Sequence, residues 1–163
     1  MLRVVRDPIE RAASSFRHAL GTGYARAAIQ RTLGVDAEAE GLSFERFIDI
    51  LDHEDLQRCD PHHSAQCHPV ERLRQPDMAI NVSSGDLFAG LNAFERLVGM
   101  PETDFAALRW LHDLQAKREV TAGEVAGDPY RQVLSRQQAL HGPWPRGLIT
   151  TPARARLEKL YGQ

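Results

Sequence analysis

The chain has 163 residues, 42% of them hydrophobic and 26% charged, with a formal charge of −2. That is enough to bury one sizeable core, and a single domain over residues 1–163 is the default expectation. The balance offers no basic stripe for nucleic acid, and no apolar run is long enough to span a membrane or fits a signal peptide.

Leu2, Val4 and Val5 form an apolar run that predicts a strand. Asp7 as N-cap, Pro8 at the first helical position and Glu10 closing a D-x-x-E box predict a helix from Pro8 to near Gly21. Strand, arginine and capped helix are the layout in which an α/β protein holds an anion at a strand's carboxyl end. Arg6 can grip such an anion through two parallel charge-assisted hydrogen bonds. Arg11, Arg17 and His18 read as a solvated or groove-lining basic face.

A short helix is expected from Tyr24 to Leu33, stopped by Gly34, and another after the cap Ser43, with Phe44, Phe47, Ile48 and Leu51 at helical spacing. Residues 54–77 read as a polar loop, and Met78–Val82 as a second short strand. A helix with Leu87, Leu91, Phe94 and Val98 inward follows, ended by Gly99 and Pro101. Another is expected from Asp104, with Phe105, Leu108, Leu111 and Leu114 on one face. Residues 119–127 read as a linker, Asp128-Pro129 as the start of a helix to Leu140, and 142–150 as a loop. Thr151-Pro152 opens the last helix, which buries Leu157, Leu160 and Tyr161.

The loop QRCDPHHSAQCHP gathers Cys59, Asp60, His62, His63, Cys67 and His68. Thiolate and imidazole are the ligands that zinc-like metals take. The spacing matches no recognised zinc arrangement, however, because adjacent His62-His63 and Cys67-His68 do not easily converge, and no metal ligand is assigned. The plainer reading is a polar loop with partly exposed histidines. Two cysteines do not make a disulfide-rich scaffold, and a reducing, cytoplasmic setting is expected if the protein is bacterial. Membrane association would require an anchoring segment ahead of this one.

The string VRDPIERAASSF, Val5 to Phe16, resembles the 3′-phosphate-binding segment of sulfotransferases that use 3′-phosphoadenosine 5′-phosphosulfate (PAPS), of the family 2 type that includes many carbohydrate sulfotransferases. The pattern there is V-R-D-P-x-E-R-x-x-S-x-[FY], and every position matches. After a helix of the F-x-x-F-[IL] type that family has a segment D-x-H-[FW]-x-P-Q. Here SFERFIDIL precedes DPHHSAQ, with His62 and Gln66 matching, His63 in place of the aromatic and Ala65 in place of the proline. AINVSSGDLFAGLNAFERLVGMP is similar to the family's strand, loop and helix ending in L-G-x-P, and ARARLEKLY to its terminal helix. Residues 102–150 carry no motif of the family.

The resemblance implies an α/β fold, a partial P-loop-type three-layer sulfotransferase domain that is mostly helical in this chain with two short strands. It implies Arg6 and Ser14 as ligands of the 3′-phosphate of PAPS, His62 and Gln66 as substrate-binding residues, and a glycan as the commonest acceptor. Sulfuryl transfer also needs cations on the leaving 5′-phosphate and a base for the acceptor proton. In the family a glycine loop with a lysine or arginine supplies the former, and neither Lys117 nor Lys159 follows a strand and a glycine turn. No catalytic residue is assigned, although His62 or His63 could act as base. The chain therefore reads as the C-terminal portion of such a domain, expected to be inactive alone. The rivals are a non-catalytic nucleotide-binding fragment and a small helical metal-binding protein using the loop at 59–68.

Overall fold

The structure, a computed structural model, describes residues 1–66, 69–108, 110, 127–141 and 147–162. It is mixed α/β: about half of the described residues are helical, and two short strands pair in parallel. Among them no helix is long and apolar enough to cross a membrane. The chain divides into two compact units, Met1–Asp7 with Gln66–Val120, and Pro8–Ala65 with Thr121–Gln163.

The first unit holds the sheet. Strand β1 (Leu2–Val5) pairs with β2 (Met78–Asn81), with Val4 opposite Ile80 and Val5 opposite Asn81. Helix α5 (Leu87–Leu97) starts at Asp86, whose carboxylate accepts from the Phe88 and Ala89 amides, and it packs on β2. Gly90 makes the approach close, since a Cβ there would lie 2.8 Å from the Ile80 side chain. The expected inward stripe of α5 is not realised: none of its residues is buried, and Val98 is 48% exposed. A two-stranded sheet has too little surface to cover a full apolar helix face. The helix expected from Asp104 is, within the described residues, a 3₁₀ turn at Phe105–Ala107 capped by Asp104; Leu111 and Leu114 lie outside them.

The second unit is helical: α1 (Pro8–Thr22), α2 (Arg26–Leu33), α3 (Ala37–Glu40), α4 (Phe44–His53), α6 (Arg136–His141) and α7 (Thr151–Tyr161). Its core forms around Phe16, Phe44 and Phe47, with ring centroids of the latter two 5.4 and 5.6 Å from Phe16. Helix α4 buries the four expected residues and Ile50 as well. Ser43 caps it by accepting from the Arg46 amide at 3.2 Å, and Gly34 ends α2 in the left-handed region. At the last helix the cap is Thr150, one residue before the expected start, and Ala153 and Leu157 are buried.

One expectation fails here for tertiary and local reasons. The helix expected from Pro129 begins at Arg136. Upstream of it, Leu134 exchanges both main-chain bonds with Leu42, and the Tyr130 carbonyl accepts from the Glu45 amide, so the backbone is already committed elsewhere. Helix α6 instead starts from a reciprocal box in which the Ser135 amide donates to Gln138 Oε1 and the Gln138 amide to Ser135 Oγ. The basic face of α1, expected to be solvated or to line a groove, is bound to main-chain carbonyls of its own unit. Arg11 donates to the carbonyls of Pro61 and Ser64, and Arg17 to that of Ala139 at 3.0 Å.

Candidate functional site

The residues singled out by sequence divide between the two units: Arg6 and Gln66 belong to the first, Ser14 and His62 to the second. In the first unit β1 ends at Val5, so Arg6 stands at the strand's carboxyl end, where the sequence puts it. Its main chain is held on both sides. The Arg6 amide donates to Gln66 Oε1 at 2.9 Å, and Gln66 Nε2 donates to the Arg6 carbonyl at 2.5 Å. The Asp7 amide donates to Ser83 Oγ at 2.9 Å, and the Val82 amide to the Val5 carbonyl at 2.9 Å. Four hydrogen bonds thus fix the root of the Arg6 side chain. The carboxamide of Gln66 spends both its oxygen and its nitrogen on that backbone, which makes it a positioning residue for Arg6.

In the second unit Ser14 is exposed on α1, while its neighbour Ser15 is buried. His62 is exposed and stacks on Tyr24 and on His18, each at 4.4 Å between centroids. Its Nδ1 lies 2.6 Å from Asp60 Oδ1. Burial works against the ionised Asp60 carboxyl, but the bonds from the His62 amide and ring outweigh it and hold the group below the usual range. His18, beside this stack, is held below the ordinary histidine value by burial first and then by His62, with Asp60 opposing.

His63 departs from the expectation of partly exposed loop histidines: it is 2% exposed. Standing where the family pattern has an aromatic, it packs as one, with its ring edge-on to Phe47 at 6.0 Å. Burying an imidazole requires partners for both nitrogens, and both have them. Nε2 lies 2.7 Å from Glu54 Oε2, and Nδ1 lies 3.1 Å from Tyr24 Oη and 3.4 Å from Ser15 Oγ. Tyr24 and Ser15 are joined at 2.5 Å. Burial pushes the Tyr24 phenol up, so it remains a neutral hydrogen-bonding group. Carboxylate, imidazole and hydroxyl in line have the form of a nucleophile-activating chain, but Ser15 is 3% exposed in the middle of α1, which leaves no room for a substrate at its oxygen.

Glu54 carries the network to a cavity of about 540 Å³ that Asp52, Asp55, Lys159 and Tyr161 also line. Sequence reasoning did not pick out Glu54, Tyr24 or Ser15. Of the histidine-rich loop, Cys67 and His68 lie outside the described residues; the structure brings Cys59 and His63 together with Glu54 and leaves His62 facing the His18 stack. No family model, no curated protein and no solved structure matches this chain.

Proposed function

We infer that the chain provides the 3′-phosphate-binding part of a PAPS-dependent sulfotransferase of the family 2 type, acting on an acceptor hydroxyl of carbohydrate class. The observation that carries this reading is the fourfold main-chain clamp around Arg6, which fixes the backbone of one arginine at a strand's carboxyl end. A fixed backbone matters because only the side-chain torsions are then left to be ordered when the guanidinium closes on a phosphate. Arg6 is the principal ligand, Ser14 the second that the resemblance supplies, and Gln66 acts through the Arg6 backbone. In the reaction so assigned, the acceptor oxygen bonds to sulfur as the bond to the 5′-phosphate oxygen breaks. The acceptor proton passes to a base, and adenosine 3′,5′-bisphosphate leaves.

Calorimetry tests the binding step. Adenosine 3′,5′-bisphosphate should bind more tightly than adenosine 5′-monophosphate, which lacks the 3′-phosphate. Arg6→Ala should remove roughly tenfold to a hundredfold of that preference, the worth of one charged hydrogen-bonding group. Equal affinity for the two nucleotides in the wild-type chain overturns the reading. Transfer of labelled sulfate from PAPS to a glycan acceptor tests the catalytic step separately.

A further inference from the structure

Glu54, Cys59 and His63 offer a carboxylate oxygen, a sulfur and a ring nitrogen that all lie within 4.8 Å of one another. Tight turns bring them there from the end of α4: the Cys59 amide donates to the Asp55 carbonyl at 2.9 Å, the His63 amide to Asp60 at 3.1 Å, and the Ala65 amide returns to Leu56 at 2.6 Å. One thiolate, one imidazole and one carboxylate are the mixed donor set of a borderline divalent ion, and three protein ligands leave the fourth tetrahedral position open. We propose that Glu54, Cys59 and His63 bind a zinc-class divalent cation, with the remaining coordination position directed to the cavity that Glu54 lines.

The surroundings are those of an imidazole ligand. Nδ1 of His63 has the Tyr24 hydroxyl at 3.1 Å, and the Tyr161 hydroxyl donates to the His63 carbonyl at 2.8 Å. Such outer contacts fix the ring and its tautomer before the ion arrives. Donors at 2.0–2.3 Å from a tetrahedral ion stand roughly 3.3–3.6 Å apart. The present 2.7 Å between Nε2 and Glu54 must therefore open, and Glu54, on the cavity wall, is the partner able to swing. The Glu54–His63 bond by itself satisfies two of the three groups without an ion. The thiol takes no part in it, and its hydrogen bond is the long one, 3.9 Å to the Asp60 carbonyl. On binding, the thiol proton leaves to solvent, and the ion's two charges are balanced by thiolate and carboxylate.

The full chain, stripped with chelator, is titrated with cobalt(II) chloride and then with zinc chloride. One equivalent of cobalt should produce a thiolate-to-cobalt charge-transfer band that zinc abolishes. Cys59→Ser should eliminate the band and weaken zinc at least tenfold; Glu54→Gln should keep the band but weaken zinc by a similar factor, roughly what loss of a ligand or its support costs. Cys67→Ser should change neither. Circular dichroism of the chelated variants checks that they fold. Absence of the band in the wild type, its survival in Cys59→Ser, its loss in Cys67→Ser, or unchanged zinc affinity in Glu54→Gln overturns the assignment. None of these readouts depends on nucleotide binding.

Discussion

Each of the two units is stabilised internally by its own means. Every residue of the connected buried core, from Ile9 to Leu157, lies in the helical unit. In the strand unit, Ile80 is the buried apolar side chain among the described residues, and Val4, Leu97, Val98 and Met100 are about half exposed or more. The strand unit relies instead on main-chain pairing and on polar braces such as Gln66 on Arg6 and the Arg3–Glu71 ion pair at 2.8 Å. Burial contributes about 25 cal/mol per Å² of apolar surface, whereas an exposed or half-exposed polar contact nets a kilocalorie or less. Rigidity and ligand-facing chemistry are thus separated: the arginine proposed to meet the phosphate stands in the less buried unit.

The sharpest way to break this comparison is to remove an apolar side chain from each unit. Phe44→Ala, at a fully buried residue packed on Phe16 and Tyr130, should cost about 3–5 kcal/mol. Leu91→Ala, at a half-buried residue of α5, should cost about 1 kcal/mol. Denaturant unfolding of the two variants measures both, and similar losses would refute the division. Hydrogen exchange gives the same contrast without mutation, because the Ile80 amide should exchange faster than that of Phe47.

A finer test uses Gly90. On an open helix face Gly→Ala gains about 1 kcal/mol. Here the added methyl meets Ile80 at 2.8–2.9 Å, and overpacking costs about 1–3 kcal/mol. Gly90→Ala should therefore lower stability by about 1 kcal/mol net. A raised melting temperature would mean that α5 does not seat on Ile80.

How much of this was legible in the sequence depends on how local each determinant is. Ser43, Gly34 and the Met78–Asn81 strand act through their own neighbours, and spacing alone located them. The Asp128-Pro129 start failed because Leu134 and Tyr130 are claimed by Leu42 and Glu45, partners about ninety residues away in the sequence. The Ser135–Gln138 box, by contrast, is local and legible as an S-x-x-Q string. Grouping the loop's histidines and cysteines by proximity also misled: His62 and His63 are adjacent and both touch Tyr24, yet the first is exposed and the second is buried against Glu54 and Phe47. Glu54, the third member of the cluster, lies five residues before Cys59 on the end of a helix. The available signal was the C-x-x-x-H spacing of Cys59 and His63, which one turn can bring together.

The smallest expected effect concerns His18 in the helical unit. Its ordinary value is near 6.5, and burial and His62 hold it lower in the folded chain. The unfolded chain then binds the proton more readily, so stability rises with pH across the interval between the two values. The His18 contribution is intact above about 6.5 and is lost as pH falls through the folded value. Because the ring is largely exposed, the loss should be slight, and it is best read by titrating the His18 ring protons by NMR in the wild type and in His62→Asn. Removing the neighbouring imidazole eliminates one of the two depressing causes but also weakens the hold on Asp60, which opposes them. An upward move of the His18 midpoint in His62→Asn means that repulsion across the stack outweighs the Asp60 carboxylate. An unmoved midpoint means that the lost repulsion and the weakened Asp60 attraction cancel, which leaves burial as the net cause of the depression.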